Sequence, residues 1–430
     1  MAIPHDDTVL SAFHYAATHL PFYTLFLQRH GLVPHEVRTI TDFIERVPLL
    51  TKEDVFTTHA IDDLSCDGVV PEYISAIVSS GTSGTFSYGL LTKKDVEMQG
   101  HMLDTLLDEL FNAKAHPPLI VNALPMGVSF SSRYPIIPTS VRTDIARKVI
   151  TTLGKGRQVI IITDPQVLKK MLEEGIDAGT CWSEYMLSAV VGGAGSSDSC
   201  MTYMRECISG NTIDPSAQNQ ILQTMGITEV ALNIFGGTPD LVHLRHCIEG
   251  NDELRTLITR GASRATPELM YHMARSVHLE IVNTDAYGVG DIVLTHLDTT
   301  TPTPLIRYRT GDKGCIVPHE LLATIVPGLP VLPFPIVALY GREKEYRHAP
   351  VTPLEVEEVL YRDPEYMKKI TGHFVITEEN GTPTILIHMK KGVTNIGEKN
   401  IYGVPCRGVL YHEFPQNIDL NYEQKWSHIS

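Results

Sequence analysis

The stretch RQVIIITDPQVLKKMLEEGIDAG, residues 157–179, constrains the fold more than any other part of the chain. Val159–Thr163 is an unbroken β-branched run of the kind that sits inside a sheet, and a helical segment follows it directly. The pattern recurs. PPLIVNAL (117–124), LSAVVGGAG (187–195), EVALNIFGG (229–237) and GDIVLTHL (290–297) are further short apolar runs, two of them ending at glycine. Strands alternating with helices predict an α/β fold with largely parallel strands. In such sheets ligands gather at the carboxyl ends of the strands, where these glycines fall.

The two ends of the chain differ from this middle. Residues 1–60 read as helices broken at Pro21 and Pro48, with capping-type starts at Thr41-Asp42 and at Thr51-Lys52-Glu53-Asp54. The strand-like PEYISAIVSS (71–80) leads into a glycine-rich turn, and TKKDVEMQGHMLDTLLDELFNA (92–113) is then helical. After a proline-rich stretch at 318–335, TPLEVEEVLYRDPEYMKK (352–369) reads as one helix. A hairpin turning at Glu379-Asn380-Gly381 follows, and then a strand in RGVLYHEFPQ (407–416). The expected architecture is a large N-terminal α/β domain with mixed sheets, residues 1–340, and a small C-terminal α+β domain, residues 341–430.

Composition narrows the partners. A chain of 430 residues with 43% hydrophobic and 20% charged residues is ordinary for a soluble globular protein of more than one domain. Fifty acidic against 35 basic residues give a formal charge of −15, and no basic run interrupts it, so nucleic acid is not an expected partner. A nucleotide is not excluded, because its site needs only a few local groups. The N-terminus lacks a signal-peptide pattern and no apolar run is long enough to cross a bilayer, so no membrane association is expected. Seven scattered cysteines, never in C-x-x-C spacing, argue against disulfides or a cysteine zinc site and place the chain in a reducing cytoplasm. The sequence does not fix the oligomeric state; a homodimer is one open expectation.

Ser79, Ser80, Gly81, Thr82, Ser83 and Gly84 can turn several backbone N–H groups and hydroxyls onto one anion, which makes a polyphosphate the natural guest. The run holds no Lys or Arg and fits neither the P-loop nor the dinucleotide fingerprint. Read alone, it serves equally well as a surface loop.

Order gives it context. IFGGTPD (Ile234–Asp240), PLIRYRTGD (Pro304–Asp312) and YGR (Tyr340–Arg342) follow the loop, and PFYTLFLQRHGL (21–32) with ITDFIERVPLLTKEDV (40–55) precedes it. With these strings the chain from Pro21 to Lys425 resembles the adenylate-forming superfamily of acyl- and aryl-CoA ligases, its phenylacetate–CoA ligase branch above all. The resemblance implies that Ser79–Gly84 wrap the β- and γ-phosphates of ATP. Phe235, with Gly236 and Gly237 beside it, would lie against adenine, and Thr238 would donate to the α-phosphate. Asp312 would accept both ribose hydroxyls, and Arg342 would add a charged donor fork nearby. It further implies Lys425 as a catalytic lysine on the small domain, and Met126, Phe130 and Tyr134 as a frame for the acid. The implied reaction joins a small, aromatic carboxylic acid to AMP with loss of pyrophosphate, helped by Mg²⁺, and then passes the acyl group to CoA.

Several positions depart from the pattern. Thr85 and Phe86 stand where the family loop has Lys-Pro, and Pro239 stands where a metal-holding glutamate is usual, with Asp240 one residue later as the alternative Mg²⁺ ligand. GREKEY replaces the common hinge string, and VVGGAGSS lacks the acid often found in that turn. These departures leave room for transfer to a carrier protein or an amine instead of CoA, or for a nucleotide-binding protein with reduced or lost turnover.

Overall fold

The computed structural model describes residues 6–79, 85–125, 127–210, 219–343, 350–379 and 381–413. The chain forms two compact units, each assembled from separated segments: Met1–His101, Met225–Gly236 and Met270–Leu339 in the first, Met102–Thr224, Gly237–Leu269 and Tyr340–Ser430 in the second.

The second unit contains the expected parallel strands, ordered Ile136–Pro138, Leu119–Ala123, Gln158–Thr163, Met186–Val191, Ile221–Ile227. Gln158–Thr163 is buried at every position. Its side chains alternate between two cores. Val159 and Ile161 pack with Met171, Leu172 and Met204, whereas Ile160 and Ile162 pack with Leu107 and Phe111. Both faces are therefore covered, which is why the strand reads as a continuous apolar run instead of an alternating one. The helix Pro165–Asp177 begins at once because Asp164 caps it, its Oδ1 accepting from Gln166 N–H at 2.7 Å, with Pro165 in the first turn.

The C-terminal segment shares this unit. Val356, Leu360, Met367 and Phe374 belong to the same apolar cluster as Cys200, Met201 and Met204. Three glutamates of the helix Pro353–Tyr361 are buried, and each has a partner. Arg264 Nε donates to Glu355 at 2.9 Å, Ser197 N–H to Glu357 at 2.7 Å and Thr266 N–H to Glu358 at 3.0 Å. The expected single helix at 352–369 is split into Pro353–Tyr361 and Pro364–Met367, because Pro364 has no N–H with which to continue it. A four-stranded sheet follows in the order Ile370–Glu379, Thr382–Met389, Val404–Val409, Lys399–Ile401. Its first pair is the expected hairpin, Glu379 opposite Thr382, and the last expected strand starts earlier than read, at Val404.

The first unit departs further from the sequence reading. Its N-terminal arm is helical, Asp6–His19, Pro21–Arg29, Ile40–Arg46 and Lys52–Phe56. The cap before Asp42 is Thr39 rather than Thr41, with Asp42 closing the box from the third position. The glycine-rich run does not pass from a strand into a helix. It joins two antiparallel strands, Ser75–Val78 and Tyr88–Leu91, with Val78 opposite Tyr88. The remaining strands lie in the order Val277–Val282, Gly290–His296, Tyr308–Val317, Ile336–Arg342, Glu268–His272, Ala231–Gly236. The first three pair antiparallel, as do Phe235 and His272. Residues 283–289 are too few for a crossover, so this pair can only return antiparallel. No helix of the described residues is long and apolar enough to cross a membrane.

Candidate functional site

The string PLIRYRTGD is built around a buried arginine. Arg307 has a left-handed backbone (φ 48°) and a side chain only 6% exposed. Its fork meets Glu280, Nη2 to Oε1 at 2.9 Å and Nε to Oε2 at 3.2 Å, while Nη1 donates to the carbonyls of Ile44, at 2.8 Å, and Val47. Those carbonyls belong to the end of the helix Ile40–Arg46, so Arg307 ties the N-terminal arm to the sheet. The backbone makes a second tie, Leu50 N–H to Arg307 O at 3.0 Å and Arg309 N–H to Leu50 O at 2.8 Å.

The end of the same string is a bulge. Asp291 pairs with Lys313 and Val293 with Arg309, so Thr310, Gly311 and Asp312 together oppose Ile292. Gly311 takes φ 81°, which glycine adopts freely, and Thr310 Oγ1 donates to Ile292 O at 3.2 Å. Asp312 N–H donates back to Thr310 Oγ1 at 3.1 Å, and its side chain is buried. Bulges re-aim side chains beside sites. T-G-D is thus a bulge that carries one buried carboxylate.

The neck of the glycine-rich hairpin meets the same string. Ser79 N–H donates to Ser87 O at 2.9 Å, and Ser87 N–H to Ser79 Oγ at 3.0 Å. Ser87 Oγ donates to Glu229 at 3.0 Å, and Tyr308 O–H donates to the other oxygen of that carboxylate. Lys52 Nζ reaches Ser79 Oγ at 3.2 Å. Arm, hairpin and PLIRYRTGD therefore converge through Glu229 and Lys52, neither of which the sequence reading assigned to a site. Ser80, Gly81, Thr82, Ser83, Gly84, Met126 and Lys425 lie outside the described residues.

IFGGTPD divides by role. Phe235 is 1% exposed within the core of the first unit, its ring 5.5 Å from that of His272. Burial, reinforced by His278, pushes the His272 imidazole down to about 4, so it is neutral at physiological pH. Asp312 stands three strand positions from Phe235 in the sheet order, roughly 14 Å laterally. Gly236 leaves room for Met273, whose Sδ would lie 2.9 Å from a Cβ there.

In the second unit Gly237 N–H donates to Gln223 O at 2.8 Å, and Thr238 caps the helix Pro239–Glu249, its Oγ1 accepting from Leu241 N–H at 3.4 Å. Pro239 occupies the first helical position, where its missing N–H costs nothing, and Asp240 is exposed in the first turn. The departure from the glutamate pattern thus suits a helix start.

The turn that lacks its own acid is served by Glu268. Ser196 N–H donates to its Oε1 at 3.0 Å, and Gln223 Nε2 donates to the same oxygen. Arg245, 2% exposed, bonds Gln223 Oε1 and, at 3.0 Å, Ser196 O. Tyr134 and Phe130 belong to the core around Leu107, Phe111 and Ile160, and Tyr134 O–H is held by Asp108. Arg342 is exposed at the end of its strand. Among the described residues no group of three or more His, Cys, Asp or Glu side chains could hold a metal ion.

No family model matches the sequence, and no curated protein does. Solved structures do. In its postadenylation state with R3-HIB-AMP, 2-hydroxyisobutyryl-CoA ligase aligns at a TM-score of 0.66 and 15% identity, covering 94% of this chain and 84% of that one. The same ligase in an open conformation with 2-HIB-AMP and CoA gives 0.58 at 15% identity, covering 96% and 89%. Its thioesterification state gives 0.56 at 16%, covering 99% and 90%. This chain has the fold of the adenylate-forming acyl-CoA ligases.

On that fold the helix Pro239–Glu249 ends in a buried charge cluster with a testable signature. Burial opposes the charge of Asp198, but the hydrogen bond from His246 and the charges of Arg245 and Arg205 overcome it and hold its pKa down to about 2. Burial and the neighbouring Asp198 push Glu249 up to about 7 from an ordinary 4.5. The unfolded chain releases the Glu249 proton first. This group's contribution to stability is therefore complete below pH 4.5 and declines as pH rises towards 7. Glu249→Gln should flatten that decline in urea melts between pH 4.5 and 7.5; an unchanged slope would assign it to other groups.

Proposed function

We propose that the protein uses ATP to adenylate a small carboxylic acid and transfers the acyl group to the thiol of CoA. The observation that carries this is the junction through Glu229, where the neck of the loop read as phosphate-binding meets the string read as ribose-binding. Coverage of nearly the whole chain by a ligase caught with an acyl adenylate and CoA supports it. A carboxylate is already nucleophilic at neutral pH, so these residues need no general base. Their task is to screen anion–anion repulsion and to hold attack in line with the departing pyrophosphate. Ser79–Gly84 would bind the phosphates, Asp312 the ribose, and Thr238 with Arg342 the α-phosphate region. Lys425 and the lid role of residues 341–430 belong to the same proposal. Asp240, an exposed carboxylate, is an oxygen donor of the kind Mg²⁺ takes in ones and twos, with phosphate and water completing its shell.

The finer reading of an aromatic acid rested on Met126, Phe130 and Tyr134. Tyr134 is buried and Phe130 is half-buried against the same core, so aromatic and short hydroxy acids become two arms of one panel. Acid-dependent exchange of labelled pyrophosphate into ATP is the test, followed by discharge of the adenylate with CoA, a carrier protein or an amine. Exchange with none of the acids would sink the proposal. A second reading, nucleotide binding without turnover, is favoured by the buried Phe235 and by Pro239 as a helix-start residue. It expects ATP binding in calorimetry with no pyrophosphate released.

A further inference from the structure

We infer that Glu357 is a positioning residue: from the helix Pro353–Tyr361 it fixes the turn at 192–197, and ATP binds well only while that turn is held. This rests on the nucleotide-activating reading above. The turn leaves the carboxyl end of the parallel strand Met186–Val191, the end at which ligands gather in such sheets. Gly193 and Gly195 are exposed, whereas Ser196 and Ser197 behind them are fully buried.

The N–H groups of those two serines are taken by two carboxylates from remote segments. Ser196 N–H donates to Glu268 at 3.0 Å and Ser197 N–H to Glu357 at 2.7 Å. Ser197 also caps the helix Asp198–Ser209, its Oγ accepting from Cys200 N–H at 3.1 Å. The positive end of that helix therefore meets Glu357 and offsets part of the cost of burying a carboxylate only 2% exposed. Glu358 acts on the same turn at one remove. It accepts Thr266 N–H at 3.0 Å, two residues before Glu268, and Glu268 holds both Ser196 and Gln223. Gln223 O accepts Gly237 N–H at 2.8 Å, beside Thr238. A turn of small, exposed residues has little packing of its own and many conformations to lose on binding. Charged tethers reduce that loss in advance, because apparent affinity scales with the fraction of molecules already competent to bind.

The test compares Glu357→Ala and Glu357→Gln with Leu360→Ala, which removes a buried core side chain from the same helix. Titration calorimetry gives ATP affinity, the exchange assay separates KM from kcat, and thermal midpoints report folding. Glu357→Ala should weaken ATP binding and raise KM for ATP by about tenfold to hundredfold, with kcat little changed. Glu357→Gln keeps an acceptor oxygen without the charge and should lose less. Leu360→Ala should lower the midpoint and leave ATP affinity at the wild-type value. If Glu357→Ala does not fold, Glu357→Gln decides the same comparison. Wild-type affinity in the folded Glu357 variants overturns the inference. So does an equal loss of affinity in Leu360→Ala at a matched midpoint, which would assign the effect to helix docking. ATP binding that depends on Glu357 while no acid supports exchange would sink the ligase reading alone. A wild type that binds no ATP would sink both.

Discussion

Arg307→Ala should destabilise the protein by about 3–5 kcal/mol, because removing one partner of a buried pair leaves the other charge uncompensated. Glu280 would remain 7% exposed with no guanidinium, and the carbonyls of Ile44 and Val47 would lose their donor at a helix end. Urea denaturation at two salt concentrations measures the effect, and salt should change it little, since the pair is out of solvent. Arg307→Lys keeps the charge but not the fork and should lose less. Converting both Arg307 and Glu280 to methionine removes the stranded charge and should recover part of the loss, though not the carbonyl contacts. A melt of Arg307→Ala indistinguishable from wild type would mean the arm is held by apolar packing alone.

What the sequence made legible follows the physics of each signal. Val159–Thr163 was readable because a strand covered on both faces leaves an unbroken β-branched run, and the helix after Pro165 because its start chemistry is local. The hairpin at Glu379–Thr382 announced itself through Asn-Gly. Tyr88–Leu91 escaped notice. Four residues with a glycine inside give no period to detect, and Gly89 is there for a neighbour: a Cβ would lie 2.5 Å from Thr228 O. Mixed sheets were expected, but not which strands run antiparallel, because an apolar run does not say which direction its partner takes. At the site, T-G-D and T-P-D carried local meaning that the structure renders as a bulge and a helix cap. Glu229, Glu268 and Lys52 carried none. Each is a charge delivered from a segment remote in sequence, and one of them, Glu268, reaches a turn whose own string lacks an acid. Composition cannot reveal such substitutions, because only the fold brings the donor to the vacancy.

Asp312→Asn should separate ribose recognition from bulge architecture. The amide matches the carboxylate in shape but replaces one acceptor oxygen with a donor, so one of two ribose hydroxyls would face a like group. ATP affinity should fall by about tenfold to hundredfold, the range for a lost hydrogen bond to a charged group. The melting midpoint, recorded alongside, separates lost affinity from lost stability, because Thr310 Oγ1 bonds both Ile292 O and Asp312 N–H in shaping the bulge. Gly311→Ala makes the opposite perturbation. It strains φ 81° by about 1–3 kcal/mol, lowering stability and re-aiming Asp312 together. If the asparagine variant binds ATP like the wild type while the alanine variant only melts earlier, T-G-D is a structural bulge and nothing more. If the asparagine variant loses ATP and keeps its melt, a carboxylate 6% exposed on a purpose-built kink is there for the sugar.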